Sequence, residues 1–95
     1  MVAKTSILTA RQYLEETLQS LVRDDDSARI WVYETEAGML RAIVGSDLWR
    51  GQSLAQRHDR IWRSLRQQVD SDSLRFVSGV HALDQTEYDS LIAEE

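Results

Sequence analysis

The chain carries two histidines and no cysteine, so imidazole is its strongest ligand for a soft or borderline metal. The absence of cysteine removes disulfides, a catalytic thiol and any thiolate metal site built from this chain alone. His81 lies towards the end of a strand-like run, where a histidine either binds a metal or partner or stands partly exposed without a ligand. His58 lies at helical spacing from Ile61 and Leu65. Because that apolar stripe must face a core, we predict that His58 is structural.

Recognisable catalytic motifs are absent from the sequence. It contains no nucleophile motif and no His-Glu-x-x-His segment that would hold zinc on a helix. Two carboxylates can always be found in a chain with sixteen aspartates and glutamates, so such a pair does not indicate acid–base catalysis. We therefore expect that the chain is not an enzyme.

The charge balance bears on the class of partner. A net charge of −5 opposes the neutralisation of phosphates on which nucleic-acid affinity depends. The predicted long helix nevertheless carries four arginines at every third position: Arg57, Arg60, Arg63 and Arg66. These side chains either contact a partner, with Arg57 the candidate, or form a solvated face that pairs with nearby acids. Nucleic acid is thus disfavoured without being excluded, and docking to a partner protein remains open.

Changes of hydrophobic periodicity along the chain predict six elements. Capping boxes at Thr9–Gln12 and Ser53–Gln56 mark the starts of two helices, and Asp84 is a plausible cap for a third. Only Thr35–Gly38 separates the first two strand-like runs, which is the length of a tight hairpin turn. A polar turn is expected over Asp70–Ser73. The predicted elements are a helix over 9–23, strands over 28–34 and 39–45, a helix over 53–69, a strand over 74–83 and a helix over 84–93.

Three loop positions have predicted roles. Gly51 is expected to supply a backbone conformation that the loop before the long helix requires. Trp49 is expected to anchor the loop or the core rather than to stack on bases. The carboxylates of 24–26 lack the spaced ligands and the glycine of a calcium-binding loop, so we predict a solvated turn there.

The element order α-β-β-α-β-α predicts an α+β domain with a K-homology-like fold. The second strand, long helix and third strand form a crossover unit, so these two strands should run parallel. The helices should pack on one face of a three-stranded mixed sheet. Residues 1–95 are expected to form a single domain, with 1–8 as a flexible N-terminus. No apolar stretch is long enough to cross a membrane, and a cytoplasmic location is expected.

The stretch from Ser46 to Leu65, SDLWRGQSLAQRHDRIWRSL, resembles the BolA family. It contains a Ser-Asp pair, an aromatic residue, a glycine two positions later, an Arg-His pair that opens a helix, and then an aliphatic-aromatic pair and a leucine. A second match lies near the end of the chain, where His81 is followed seven residues later by Tyr88, itself preceded by an acidic residue. Ala82 stands where the family has threonine.

The resemblance implies a fold like that of class II K-homology domains and a role as an accessory or regulatory protein. It implies partnership with a monothiol glutaredoxin, in which the pair holds a 2Fe–2S cluster for iron–sulfur trafficking or iron regulation. His81 corresponds to the family's terminal ligand, and imidazole can replace thiolate on one iron. The family's second ligand comes from a longer loop between the first two strands, whereas Thr35–Gly38 contains no histidine or cysteine.

Two further possibilities stay open from the sequence. A nucleic-acid-binding transcription regulator is the alternative function, because a K-homology-like fold and an arginine-bearing helix would suit it. A homodimer is the alternative to a monomer.

Overall fold

The computed structural model describes residues 6–93 and contains four helices and three strands. Each of the six predicted elements is present, and one short helix is added between the long helix and the last strand. A 3₁₀ turn lies over Asp47–Trp49. No helix within the described range combines the length and the apolar character needed to cross a bilayer. The elements are α1 (Ile7–Leu21), β1 (Arg29–Glu34), β2 (Leu40–Gly45), α2 (Leu54–Gln68), α3 (Ser71–Leu74), β3 (Val77–Leu83) and α4 (Gln85–Ala93).

The three strands form one mixed sheet in the order β1-β2-β3. β1 and β2 form the antiparallel hairpin, with Trp31 opposite Ile43, and its turn has Gly38 at a φ of 77°. β2 and β3 run parallel, with Ile43 opposite His81. The crossover through α2 thus gives the predicted parallel pair, and neither β1 nor β3 pairs with a further strand of the described residues.

The two faces of the sheet are covered by different helices. Ala42 and Val44 of β2 are fully buried in the core formed with α1 and α2. Because side chains alternate along a strand, Ile43 and Gly45 face the other way. Tyr88 of α4 packs on that second face, directly over Gly45. The predicted packing on one face therefore holds for α1 and α2, whereas α4 covers one end of the opposite face.

Two predicted boundaries are wrong because other residues cap the helices. The Ser6 hydroxyl accepts a hydrogen bond from the Thr9 N–H at 3.1 Å, so α1 begins at Ile7 and Thr9 lies inside its first turn. Asp70 caps α3 by accepting from the backbone N–H of Ser73 at 3.1 Å. A short helix therefore forms where a polar turn was predicted. β3 consequently begins at Val77 rather than at 74. The expected flexible N-terminus falls mainly on residues 1–5, outside the described range.

Asp25 is a structural acceptor rather than a solvated carboxylate. Its Oδ2 accepts from the Ser46 hydroxyl at 2.7 Å and from the Asp47 N–H at 3.2 Å, and its Oδ1 accepts from the Ser27 N–H at 3.0 Å. These bonds tie the turn after α1 to the loop after β2. The hydrogen bond from Ser46, followed by that from Ser27, lowers the pKa of Asp25 below its ordinary value.

The depressed pKa of Asp25 predicts an acid-dependent loss of stability. Stability from this carboxylate is present above its unfolded pKa and is lost as the pH falls through the lower, folded pKa. We expect Asp25→Asn to lower stability at neutral pH and to reduce the loss seen on acidification below about pH 4. Urea unfolding from pH 7 down to pH 2 measures this. The exposed neighbour provides a control, Asp26→Asn, and an identical pH profile for both variants would contradict the assignment.

The Gly45–Tyr88 contact predicts how α4 is held on the sheet. A Cβ at Gly45 would lie 2.6 Å from Cδ2 of the Tyr88 ring, so Gly45→Ala must displace the tyrosine or the helix. We expect a loss of about 1–3 kcal/mol in unfolding free energy. Gly79→Ala is the matched control in β3, because its Cβ would meet Arg41 at an ordinary 3.6 Å. Chemical denaturation of both variants tests this, and equal stabilities would contradict it.

Candidate functional site

His81 lies on β3 with its imidazole exposed on the face of the sheet opposite α1 and α2. Its neighbours Val80 and Ala82 are buried in the core, so alternation along the strand turns His81 outward. The parallel register places it beside Ile43 of β2. The histidine selected from the sequence is therefore accessible to a ligand or a partner.

Arg41 of β2 contacts the imidazole of His81. Its Nη2 lies 3.0 Å from His81 Nε2. Since a guanidinium only donates hydrogen bonds, Nε2 must accept, and the ring proton belongs on Nδ1. The Arg41 guanidinium lies over Gly79 of β3, where a Cβ would meet it at 3.6 Å. A metal that binds His81 through Nε2 must therefore displace the guanidinium of Arg41.

A groove of about 280 Å³ runs along the free edge of β3 and is called the β3-edge groove below. One wall is the first turn of α2, and the other is β3 itself. His58 and His81 both line it, so both imidazole-bearing residues of the chain share one cavity. No Asp or Glu among residues 6–93 lines the groove. Its lining is Arg41, Leu54, Arg57, His58, Gly79, Val80, His81, Ala82 and Leu83.

Arg57 is largely buried and makes structural contacts, and its predicted role as a partner contact stays a prediction. Only 7% of the residue is exposed. Its Nε donates to the Gln52 carbonyl at 3.1 Å, and its Nη1 donates to the Ala82 carbonyl at 3.1 Å and to Glu87 Oε1 at 3.0 Å. The charged guanidinium can be buried because it donates hydrogen bonds to all three of these acceptors. Arg57 joins the loop before α2 to β3 and α4.

The prediction that His58 is a structural core residue is wrong. The residue is exposed on the first turn of α2, and its ring tilts against Trp62 with a centroid distance of 5.8 Å. The buried stripe of α2 consists instead of Arg57, Ile61 and Leu65 at intervals of four residues. Arg57 thus occupies the inward position that the sequence analysis gave to His58.

Gly51 and Trp49 belong to the segment between β2 and α2. Gly51 has a φ of 84°, a conformation that other residues rarely adopt, so the loop requires glycine there. Trp49 is fully buried in the core and cannot stack on an exposed base. Arg60 covers its ring with the guanidinium carbon 5.4 Å from the centroid. This part of the BolA-like motif therefore shapes the loop that leads into α2.

The cap of α4 holds Glu87 in place for Arg57. Asp84 accepts from the Glu87 N–H at 2.8 Å, and Glu87 Oε1 accepts from the Asp84 N–H at 2.9 Å. The predicted cap is confirmed, and it forms a reciprocal capping box. The acidic-aromatic pair near the chain end thus makes two contacts. Glu87 accepts a hydrogen bond from Arg57, and Tyr88 packs over Gly45.

The sequence analysis missed two residues of the groove. Arg41 interrupts the apolar run of β2, and an arginine there signals either a pairing or a functional site. Leu54 is 70% exposed although it opens the apolar stripe of α2. Neither signal shows where the side chain points, because that depends on how β2 and α2 lie against β3. The described residues contain no group of three or more His, Cys, Asp or Glu side chains that could hold a metal ion.

Comparison by sequence and by structure gives different results. No protein-family model and no curated protein matches the chain. By structure, the chain is similar to the crystal structure of a Bol-like protein from Babesia bovis, with a TM-score of 0.55 and 15% identity over 97% of this chain and 95% of that chain. It is also similar to BolA1 from Arabidopsis thaliana, with a TM-score of 0.50 and 15% identity over 79% of this chain and 88% of that chain.

This likeness shows the architecture. The chain has the BolA-like α+β fold, in which helices pack on a three-stranded mixed sheet. The fold predicted from the Ser46–Leu65 segment and from the element order is confirmed.

The exchange of roles between Arg57 and His58 predicts opposite responses to truncation. Arg57→Ala removes the donor to two backbone carbonyls and the cationic partner of Glu87, and we expect a loss of about 2–4 kcal/mol in unfolding free energy. His58→Ala removes an exposed side chain, and we expect a change within about 0.5 kcal/mol. Denaturant unfolding of the two variants tests this. A larger loss for His58→Ala than for Arg57→Ala would restore the sequence-based assignment.

Proposed function

We propose that this chain is a binding protein of iron–sulfur trafficking or iron regulation that shares a 2Fe–2S cluster with a monothiol glutaredoxin. The observation that carries the proposal is an exposed histidine, His81, at the strand position that the BolA resemblance assigns to an iron ligand. The BolA-like fold supports the same proposal. The cluster is cargo here, so the chain acts by binding rather than by catalysis, and a cytoplasmic location is part of the proposal.

The chemistry of His81 fits one iron ligand. A neutral imidazole with an accepting Nε2 has a lone pair for a metal, and imidazole can replace thiolate on one iron of a 2Fe–2S cluster. In the isolated chain the Arg41 guanidinium donates a hydrogen bond to that lone pair, so the guanidinium must move away when iron binds. A cysteine-free chain leaves the thiolate ligands to the glutaredoxin and its glutathione.

A second strong ligand is missing from the position that the resemblance indicates. The turn between β1 and β2 offers only the carboxylate of Glu36, a hard oxygen ligand that suits iron–sulfur iron poorly. His81 is therefore the one strong ligand in our proposal. A cluster held in this way should be labile, which suits transfer better than storage.

Nucleic-acid binding remains the weaker alternative. Of the four arginines on the long helix, Arg57 is buried, Arg60 covers Trp49 and Arg63 lies 3.7 Å from Asp59. The stripe seen in the sequence is thus largely occupied by contacts within the chain. The net charge of −5 opposes phosphate binding further.

The cluster proposal predicts a difference between the two histidines. We expect a mixture with a reconstituted monothiol glutaredoxin to change the visible circular dichroism of the cluster, and His81→Ala to abolish that change without altering the fold. His58→Ala is the matched control, because it removes an exposed imidazole from the same groove and should retain the change. A His81→Ala spectrum like that of the wild type would show that His81 is not the iron ligand. Absence of any complex would contradict the proposed partnership.

A further inference from the structure

The free edge of β3 presents backbone groups to the β3-edge groove. The Leu83 carbonyl bonds toward β2 by accepting from the Ser46 N–H at 2.8 Å. The preceding carbonyl, that of Ala82, points the other way and accepts from Arg57. Because residues alternate in direction along a strand, the backbone N–H and C=O of Val80 point to the same side as the Ala82 carbonyl, where 7% of Val80 is exposed. An extended chain laid in the groove would find hydrogen-bonding groups there.

The charge of the groove is unbalanced at Arg41. Among the described residues its Nε is buried without a hydrogen-bond partner, and its Nη2 bonds the neutral acceptor of His81. Six of the other nine arginines form ion pairs with described carboxylates, namely Arg11, Arg29, Arg50, Arg57, Arg63 and Arg75. No described Asp or Glu lines the groove, although acids outnumber bases in the chain. What Arg41 lacks is an anion, and the guanidinium fork fits a carboxylate.

The rest of the groove suits a peptide better than a nucleic acid. The apolar residues Leu54, Val80 and Leu83 line it, and Leu54 is 70% exposed. Apolar surface of this kind accepts the alternate side chains of an added strand. A nucleic-acid strand would need several cations to neutralise successive phosphates, whereas Arg41 is the one lining arginine without a carboxylate partner among the described residues.

We propose that the β3-edge groove binds an extended acidic segment of a partner protein. The segment adds a strand along Val80 at the free edge of β3, and one of its carboxylates pairs with the guanidinium of Arg41. Its apolar side chains rest on Leu54. Nothing in this recognition needs a cluster, so it stands independently of the function proposed above.

Short synthetic peptides test the proposal on the intact chain. The probe alternates valine and glutamate, and its controls replace glutamate by glutamine or methylate alternate backbone nitrogens. Isothermal titration gives affinities, and ¹H–¹⁵N spectra locate the contact. We expect the acidic peptide to shift the amides of Val80 and Ala82 and the side chain of Arg41. Each control peptide should bind at least about tenfold more weakly.

Two arginine variants isolate the charge. Arg41→Met should reduce the affinity for the acidic peptide to that for the glutamine peptide, with the ¹H–¹⁵N spectrum confirming the fold. Arg66→Met removes the same charge from an exposed position outside the groove and should bind like the wild type. Equal binding of the acidic and glutamine peptides, no binding at all, or shifts confined to other surfaces would overturn the proposal. So would a single-stranded oligonucleotide that binds the groove more tightly than the acidic peptide.

Discussion

One buried guanidinium, that of Arg57, determines how the parts of this small domain meet. It bonds a carbonyl of the loop before α2, a carbonyl of β3 and the carboxylate of Glu87 on α4. A permanently charged group cannot be buried without such acceptors, so the three segments are constrained to meet at this point. The position of the β3 edge against the first turn of α2 follows from the same bonds. The β3-edge groove therefore depends on a residue that contacts no ligand in our account.

Local rules were sufficient for most of the fold. The Ser53–Gln56 capping box, the positive φ of Gly51 and the parallel pairing through α2 all follow from short sequence patterns, and all are present. The exchange of Arg57 and His58 could not be predicted in this way. Adjacent helical positions differ by about 100°, and the spacing to Ile61 and Leu65 led to the assignment of the inward position to His58. Acceptors from 25 and 30 residues further along the chain decided otherwise.

The surroundings of His81 show the same limit of sequence reasoning. The histidine itself could be selected through the BolA resemblance, whose spacing to Glu87 and Tyr88 it matches, but its contact with Arg41 joins residues 40 positions apart. That contact depends on the register of β2 against β3. It also gives Arg41 a part in both proposals. Iron must displace the guanidinium from His81, and a partner carboxylate would draw the same guanidinium into the groove.

The central claim, that His81 binds iron in a shared cluster, has a direct spectroscopic test. The chain is labelled with ¹⁵N-histidine, mixed with an unlabelled cluster-loaded monothiol glutaredoxin and reduced, and the paramagnetic cluster is studied by pulsed electron paramagnetic resonance. The account predicts hyperfine coupling to one labelled imidazole nitrogen, which disappears in His81→Ala and persists in His58→Ala. A complex that forms without any coupling to labelled nitrogen, or whose coupling survives in His81→Ala, would contradict it.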